Sequence, residues 1–263
     1  MTDDNTATTE ESHGRRVSRR GFVAGAGAVL LGGTGTVAAT VQSTQKLRYN
    51  VRVTNVSDGQ TLQTTAEGDA AQQPVPLSPV VYAVHEADEP IFTAGEPARG
   101  NGLEGVAEDG SPASLVASLG EREAVHDAGV QAVPAGSDEP GPLLPTHSYD
   151  FETERLETDD LSLSMVTMFV PSNDLFYALG GATGIPLSSD EQSTQGDVTD
   201  HVDLWDAGTE INEEPGVGEN QVQRQRGAGV GLVERGTVAP VETINGYDYP
   251  DTSDVLRVLV QPR

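Results

Sequence analysis

The chain of 263 residues contains no cysteine, a single lysine and a single tryptophan. Without cysteine there can be no disulfide, no thiolate metal site, no cysteine nucleophile and no lipid-modified cysteine. Aromatic residues make up 5% and hydrophobic residues 36% of the chain, low for a globular protein. Beyond the first forty residues no stretch is long and apolar enough to span a bilayer, which takes roughly 20 residues. The sequence has no internal repeat and no heptad pattern. It also has no Gly-x-Ser-x-Gly elbow for a serine nucleophile.

What it has is acid. Forty-one Asp and Glu stand against 15 Lys and Arg, a formal net charge of -26. Such a field repels nucleic-acid phosphates and anionic membranes, and it argues against both as partners. The acids are scattered among apolar, strand-like runs, which favours a solvated folded surface over a disordered tail. Every basic residue except Lys46 is arginine. An acid-rich, lysine-poor, aliphatic-poor composition suits a protein bathed in concentrated salt and reads as a halophilic, archaeal source. At about 1 M salt the Debye length is roughly 3 Å, so repulsion between surface carboxylates is screened.

The first 39 residues read as a twin-arginine export signal. Ser18-Arg19-Arg20-Gly21-Phe22-Val23 is followed by a Gly/Ala-rich apolar run to Val37, and Val37-Ala38-Ala39 forms a small-residue cleavage site. The alternative is an uncleaved membrane anchor, against which stand the shortness of the run and its glycine content. This implies export in the folded state to the extracellular space or the cell surface. Asp3, Asp4, Glu10 and Glu11 balance Arg15, Arg16, Arg19 and Arg20, so cleavage leaves the charge at -26.

Residues 40–263 read as one domain, large enough to bury a core. Leu47, Tyr49, Val51 and Val53 alternate with polar residues, the period of a half-buried strand. Val80–Val84, Leu161–Val170, Val202–Trp205 and Val255–Val260 are further strands. Asp58-Gly59 and Ala207-Gly208-Thr209 are turns, while 61–76, 130–145 and 210–220 are loops. Ser111-Pro112 predicts a helix start, N-cap then proline, running to about Leu119. Many short strands, long polar loops and little helix argue for an all-β antiparallel sandwich with one or two short helices.

Three stretches together resemble the spondin domain, the N-terminal module of the F-spondin and mindin group of matrix proteins. They are Leu77-Ser78-Pro79-Val80-Val81 running to His85; Gly95 through Gly102-Leu103 to Val106-Ala107-Glu108-Asp109-Gly110; and Ser164 through Pro171-Ser172-Asn173-Asp174-Leu175-Phe176, with Val202 to Glu210 following. The last stretch is similar to the family's "PSPDWF" and "DAGT" signatures. Asn173 stands where the family has proline, Leu175 where it has tryptophan, and Gly180-Gly181-Ala182 where an acidic residue follows. The resemblance implies a C2-like sandwich, a calcium ion held in loops at one end, and adhesion or ligand recognition outside the cell without catalysis.

Calcium takes six to eight oxygens, mostly carboxylates and backbone carbonyls on loops. Asp174 and Asp206 lie at strand ends and Glu108 in a glycine-flanked acidic loop, so these three are the candidate ligands, with Asp203 a further one. Asp206 to Glu214 does not fit an EF-hand, because Gly208 occupies a ligand position. His85, His126, His147 and His201 are dispersed, which leaves zinc unsupported. His85 reads as a hydrogen-bonded structural histidine and Trp205 as packing. Carboxylate pairs such as Asp159-Asp160 keep open a secreted hydrolase, and a purely structural cell-surface component is a third possibility. The expected partner is an extracellular or cell-surface protein or glycan. If the composition reports salt adaptation, the melting temperature should rise with salt between dilute buffer and molar KCl. Calorimetry across that range checks it, and a melt indifferent to salt counts against it.

Overall fold

The computed structural model describes residues 46–156, 160–187, 195–243 and 246–263. The expected export segment and Asp159 lie outside the described residues. In chain order the elements are β1 (Lys46–Asn55), β2 (Leu62–Gln63), β3 (Gln72–Gln73), β4 (Val80–His85), α1 (Leu103–Asp109), α2 (Ala113–Glu121), β5 (Val125–Gln131), β6 (Ser148–Leu156), β7 (Leu161–Met168), β8 (Leu175–Leu179), β9 (Ile185–Leu187), β10 (Gly196–Asp197), β11 (Val202–Asp206), β12 (Ala239–Pro240), α3 (Thr252–Val255) and β13 (Leu256–Pro262).

The period-2 pattern of β1 buries Tyr49, Val51 and Val53 and exposes Arg48, Asn50 and Arg52. This strand lies in a four-stranded sheet of order β10-β13-β1-β6, in which every pairing is antiparallel. The second sheet runs β12-β11-β8-β7-β4-β5, and β9 joins the end of β7 that β8 leaves free. All eight residues of β7 and all six of β4 are buried. A strand covered on both faces need not alternate: β4 is apolar from Val80 to Val84, and in β7 the buried polar residues Ser164 and Thr167 are satisfied by hydrogen bonds to His85 and to the Ser78 carbonyl.

Two cores cover those faces. Between the sheets, Tyr49, Val51, Val53, Val258 and Val260 pack with Leu163, Met165, Tyr177 and Leu179. On the outer face of the larger sheet, Val81, Ala83, Val166, Phe176, Ala178 and Trp205 pack with Leu103, Val106, Leu115 and Leu119 of α1 and α2. Consecutive residues of β4 and β8 therefore feed opposite cores. The fold is an all-β antiparallel sandwich with a helical layer on one side.

Among the described residues three short α-helices form, where one or two were expected. The stretch holding Glu108 is helix α1 rather than the acidic loop the sequence suggested. Its apolar positions Leu103, Val106 and Ala107 form one buried stripe, and Glu108 is buried beside them. Gly102 makes the packing possible: its φ is 93°, and a Cβ there would lie 2.3 Å from the Leu115 nitrogen. Helix α2 begins at Ala113, with Pro112 in the N-cap position and no side-chain cap bond, so Ser111 does not cap it. The first helical bond runs from the Val116 N–H to the Pro112 carbonyl at 3.1 Å, which sets Pro112 at the N-cap.

On the outside of the small sheet, Arg52 pairs with Asp150 at 2.6 Å and Arg257 with Asp197 at 2.7 Å. Lys46 pairs with Glu154 and Arg263 with Glu152. Exposed pairs of this kind contribute under about 1 kcal/mol each, so the sheets are held by their cores. Phe176 is fully buried and meets Phe92 edge-on at 5.2 Å. Phe176→Ala should destabilise the domain by about 3–5 kcal/mol. Chemical denaturation in molar salt measures this, and a loss below about 1 kcal/mol would mean that the helical layer is not a true core.

Candidate functional site

Strand ends place the two aspartates. Strand β11 pairs with β8 so that Asp206 lies opposite Leu175, and the ladder extends one step further, the Ala207 N–H donating to the Asp174 carbonyl at 3.1 Å. Asp174 and Asp206 are therefore neighbours across adjoining strands, and both are fully buried. The turn after β11 wraps them. The Gly208 N–H donates to Asp206 Oδ1 at 2.6 Å, and the Asn212 side chain donates to Oδ2. Asp174 Oδ2 accepts from the Thr209 N–H at 2.7 Å, the Thr209 hydroxyl at 3.2 Å and the Glu210 N–H at 3.0 Å. Gly208 takes φ 66°, and a Cβ there would come within 2.6 Å of the Thr237 nitrogen. Only glycine turns the chain this tightly over the carboxylates.

Asp174 Oδ1 is left over, buried and without a hydrogen-bond partner. Glu108 Oε1 and Glu210 Oε2 are in the same condition, so three of the five such side-chain atoms among the described residues are carboxylate oxygens from this end of the sandwich. Native structures rarely leave such atoms unpaired. Burial first, and the Asp206 charge second, push the Asp174 carboxyl up to about 8. Asp206 is also raised, by burial. Burial and then the Glu108 charge push Glu210 up to about 7. Glu108 is itself raised by burial, against the lowering effects of a Thr209 hydrogen bond and of Arg99, whose Nη2 lies 4.0 Å from Oε1.

The structure thus brings Asp174 and Asp206 together. It pairs Glu108 with Glu210, one step along the chain from the Thr209 that binds Asp174. Asp203 is exposed on β11 and takes no part. Among the described residues no three His, Asp or Glu side chains converge closely enough to hold an ion by themselves. A calcium ion at the aspartate pair would draw further oxygens from backbone carbonyls and water, as that ion accepts. The residues present fit such an ion on one ground: a buried carboxylate oxygen with no donor beside a second buried carboxylate.

Asn173 and Gly180, two positions where the sequence differs from the signatures it resembles, have structural roles. Asn173 accepts from the Glu213 N–H and donates to the Glu213 carboxylate, both at 3.0 Å, which pins the 210–220 loop beneath the site. Gly180 lies at the opposite end of β8, six residues or about 20 Å of extended chain from Asp174. A Cβ at Gly180 would fall 2.2 Å from the Gly184 carbonyl carbon. An acidic side chain there could not join Asp174 around one ion.

Glu210 was the residue the sequence left among undistinguished loop acids. Its place right after Thr209, at the end of the Asp206-Ala207-Gly208-Thr209 turn, was the available signal. His85 is buried between the Ser164 hydroxyl at 2.8 Å and the Glu86 carbonyl at 2.7 Å, and burial lowers its pKa. This pair has the atoms of a nucleophile and a base, but both lie within buried strands. Trp205 packs edge-on against Phe92 at 5.1 Å. No helix among the described residues is long and apolar enough to cross a membrane. Comparison with protein-family models and with curated proteins finds no match for the chain.

These shifts carry a pH signature. The folded state holds protons that the unfolded chain releases near its ordinary carboxylate pKa of about 4. Stability without metal should therefore be greatest in acid and fall as pH rises from about 4 to about 8. Asp174→Asn keeps the shape and removes the charge, so its melting temperature at pH 8 should exceed that of the parent. Each kcal/mol is worth about 2–4 °C in a domain of this size. Calorimetry in a chelating buffer reads it, and a parent protein more stable at pH 8 than at pH 5 would contradict it.

Proposed function

We propose that this chain is an exported, non-catalytic recognition module of the spondin type that binds calcium through Asp174 and Asp206 and acts in extracellular or cell-surface adhesion. The observation that carries the reading is the buried, partnerless Asp174 Oδ1 beside a second buried carboxylate. Two like charges in an apolar setting hold a proton or take a cation. Calcium, when bound, supplies the charge that lets both stay ionised at neutral pH. Asp174 would offer its free Oδ1 and Asp206 its carboxylate, while the Gly208, Thr209 and Glu210 N–H groups hold the remaining oxygens in place. The Thr209–Glu210 segment ties the pair to Glu108 and to the long loop beyond, so ion binding would fix the loop that faces a partner.

The competing reading is a hydrolase using the same two neighbouring carboxylates as acid and base. What favours recognition is access: both aspartates are fully buried, and no substrate bond can reach them. Titration calorimetry of chelator-treated protein in about 1 M KCl should give one calcium per chain. Asp174→Asn with Asp206→Asn should abolish the uptake and leave the fold intact. A folded sample that takes up no calcium would sink the reading. Turnover of glycans or esters that the same double variant abolishes would establish the hydrolase instead.

A further inference from the structure

The segment from Gln221 to Pro240 departs from the rest of the chain. It has three arginines, Arg224, Arg226 and Arg235, against one acid, Glu234, in a protein of net charge -26. It also carries exposed aliphatic residues. Val230, Leu232 and Val233, with Ile211 beside them, are four of the eight large hydrophobic residues exposed among those described, and Val233 is 66% exposed. Single exposed apolar residues are common, but a cluster marks a contact surface.

The backbone gives that surface a direction. The Ile211 N–H donates to the Leu232 carbonyl at 2.7 Å and the Glu234 N–H to the Thr209 carbonyl at 2.8 Å, with Glu210 opposite Val233. Residues 209–211 and 232–234 are thus a short antiparallel ribbon. In that register the Val233 N–H and C=O point away from the ribbon, and among the described residues neither has a partner. Val233 and Arg235, two apart, share a face that lines an open cleft of about 440 Å³ with Ala98, Arg99, Thr209 and Gly236. Arg235 and Arg226 are exposed and make no ion pair or hydrogen bond among the described residues. Arg99, across the cleft, is held by the Thr209 carbonyl at 2.6 Å and by Glu104 at 3.3 Å.

We infer that this ribbon edge takes an extended, acid-rich segment of another protein, whose backbone pairs with Val233 and whose carboxylate seats beside Arg235 in the cleft. The inference deepens the recognition reading and rests on it. An open strand edge beside a pocket for alternate side chains is the arrangement that strand addition uses. Charge complementarity selects the occupant. A partner from the same salt would share this chain's excess of carboxylates, and the free guanidinium of Arg235 is a bidentate match for one. In molar salt long-range attraction is screened, so direct pairing and the apolar contacts of Leu232 and Val233 must hold the complex. A nucleic acid or sulfated polymer offers no backbone to the edge and meets the field of the remaining surface.

The test uses the full chain and a labelled peptide alternating aspartate with valine and leucine, with a lysine-for-aspartate peptide as control. Anisotropy is read in about 1 M KCl, with and without calcium. The acidic peptide should bind and the lysine peptide should not. Arg235→Glu should weaken the acidic peptide about tenfold, the loss of one charge-assisted pair, and improve the lysine one. Val233→Pro should abolish binding by removing the N–H and blocking the edge. Matched melting curves confirm that the variants fold, and if Val233→Pro fails to fold then Arg235→Glu decides. Equal binding of both peptides, binding unchanged by Arg235→Glu, or no binding by folded protein would overturn the inference. So would a homodimer, seen in sedimentation, that Arg235→Glu dissolves, since the edge would then belong to a second copy. Calcium uptake is measured separately, so failure of the calcium site and failure of the edge remain distinct results.

Discussion

Burial of β7 on both faces is the constraint from which the rest of the architecture follows. A strand whose residues are buried on both faces is covered twice. The small sheet covers one face, and helices α1 and α2 cover the other. The chain between β4 and β5 is therefore obliged to form helices even though the fold is otherwise β. Helix α1 then carries Glu108 inward to the end of the sheet where β8 begins and β11 stops. The carboxylate cluster is a by-product of that layering, because strand ends of the two-faced sheet meet the covering helix there. Placing charge at such a junction costs desolvation, and the upward pKa shifts of Asp174, Asp206, Glu108 and Glu210 record the cost.

The strands legible in the sequence were those with a clear alternation or a dense set of Val, Leu and Met. β1 alternates cleanly, β4 is a nearly unbroken apolar run, and β7, β11 and β13 are rich in Leu, Val and Met between turn signals. The sandwich class followed from them. β6 was harder to read because its inward positions include Thr153 and Arg155, which are buried by bonding to Asp127 and Tyr49 rather than by being apolar. β8 has only five residues and is buried on both faces, so its length gives no period to detect. Helix α1 hid behind Glu104, Glu108 and Asp109, whose charges made a buried helix look like a solvated loop; Gly110 at its end was the one readable stop signal.

Of the candidate site, Asp174 and Asp206 were singled out by their places at strand ends and by the two separate signatures that their surroundings resemble, and their proximity follows from the β8–β11 register. Grouping Glu108 directly with them was not, because a side chain's partner depends on packing that no local pattern encodes. The pairing of Glu108 with Glu210, and the tie that Thr209 makes between the two pairs, come only from the folded chain. The ribbon of 209–211 with 232–234 is of the same kind. Its two halves are separated by an acidic loop, and neither half alone reads as a strand.

The charge ladder on the small sheet bears on the shape of the molecule's electric field. Lys46, Arg48, Arg52, Arg257 and Arg263 lie there beside Asp150, Glu152, Glu154 and Asp197. Five cations against four carboxylates leave that face near neutral in a chain of net charge -26. The excess of carboxylates therefore lies away from this face. In dilute buffer the Debye length grows to about 30 Å, and two copies approaching through their small sheets meet the least repulsion. Withdrawal of salt would therefore bias how molecules encounter one another.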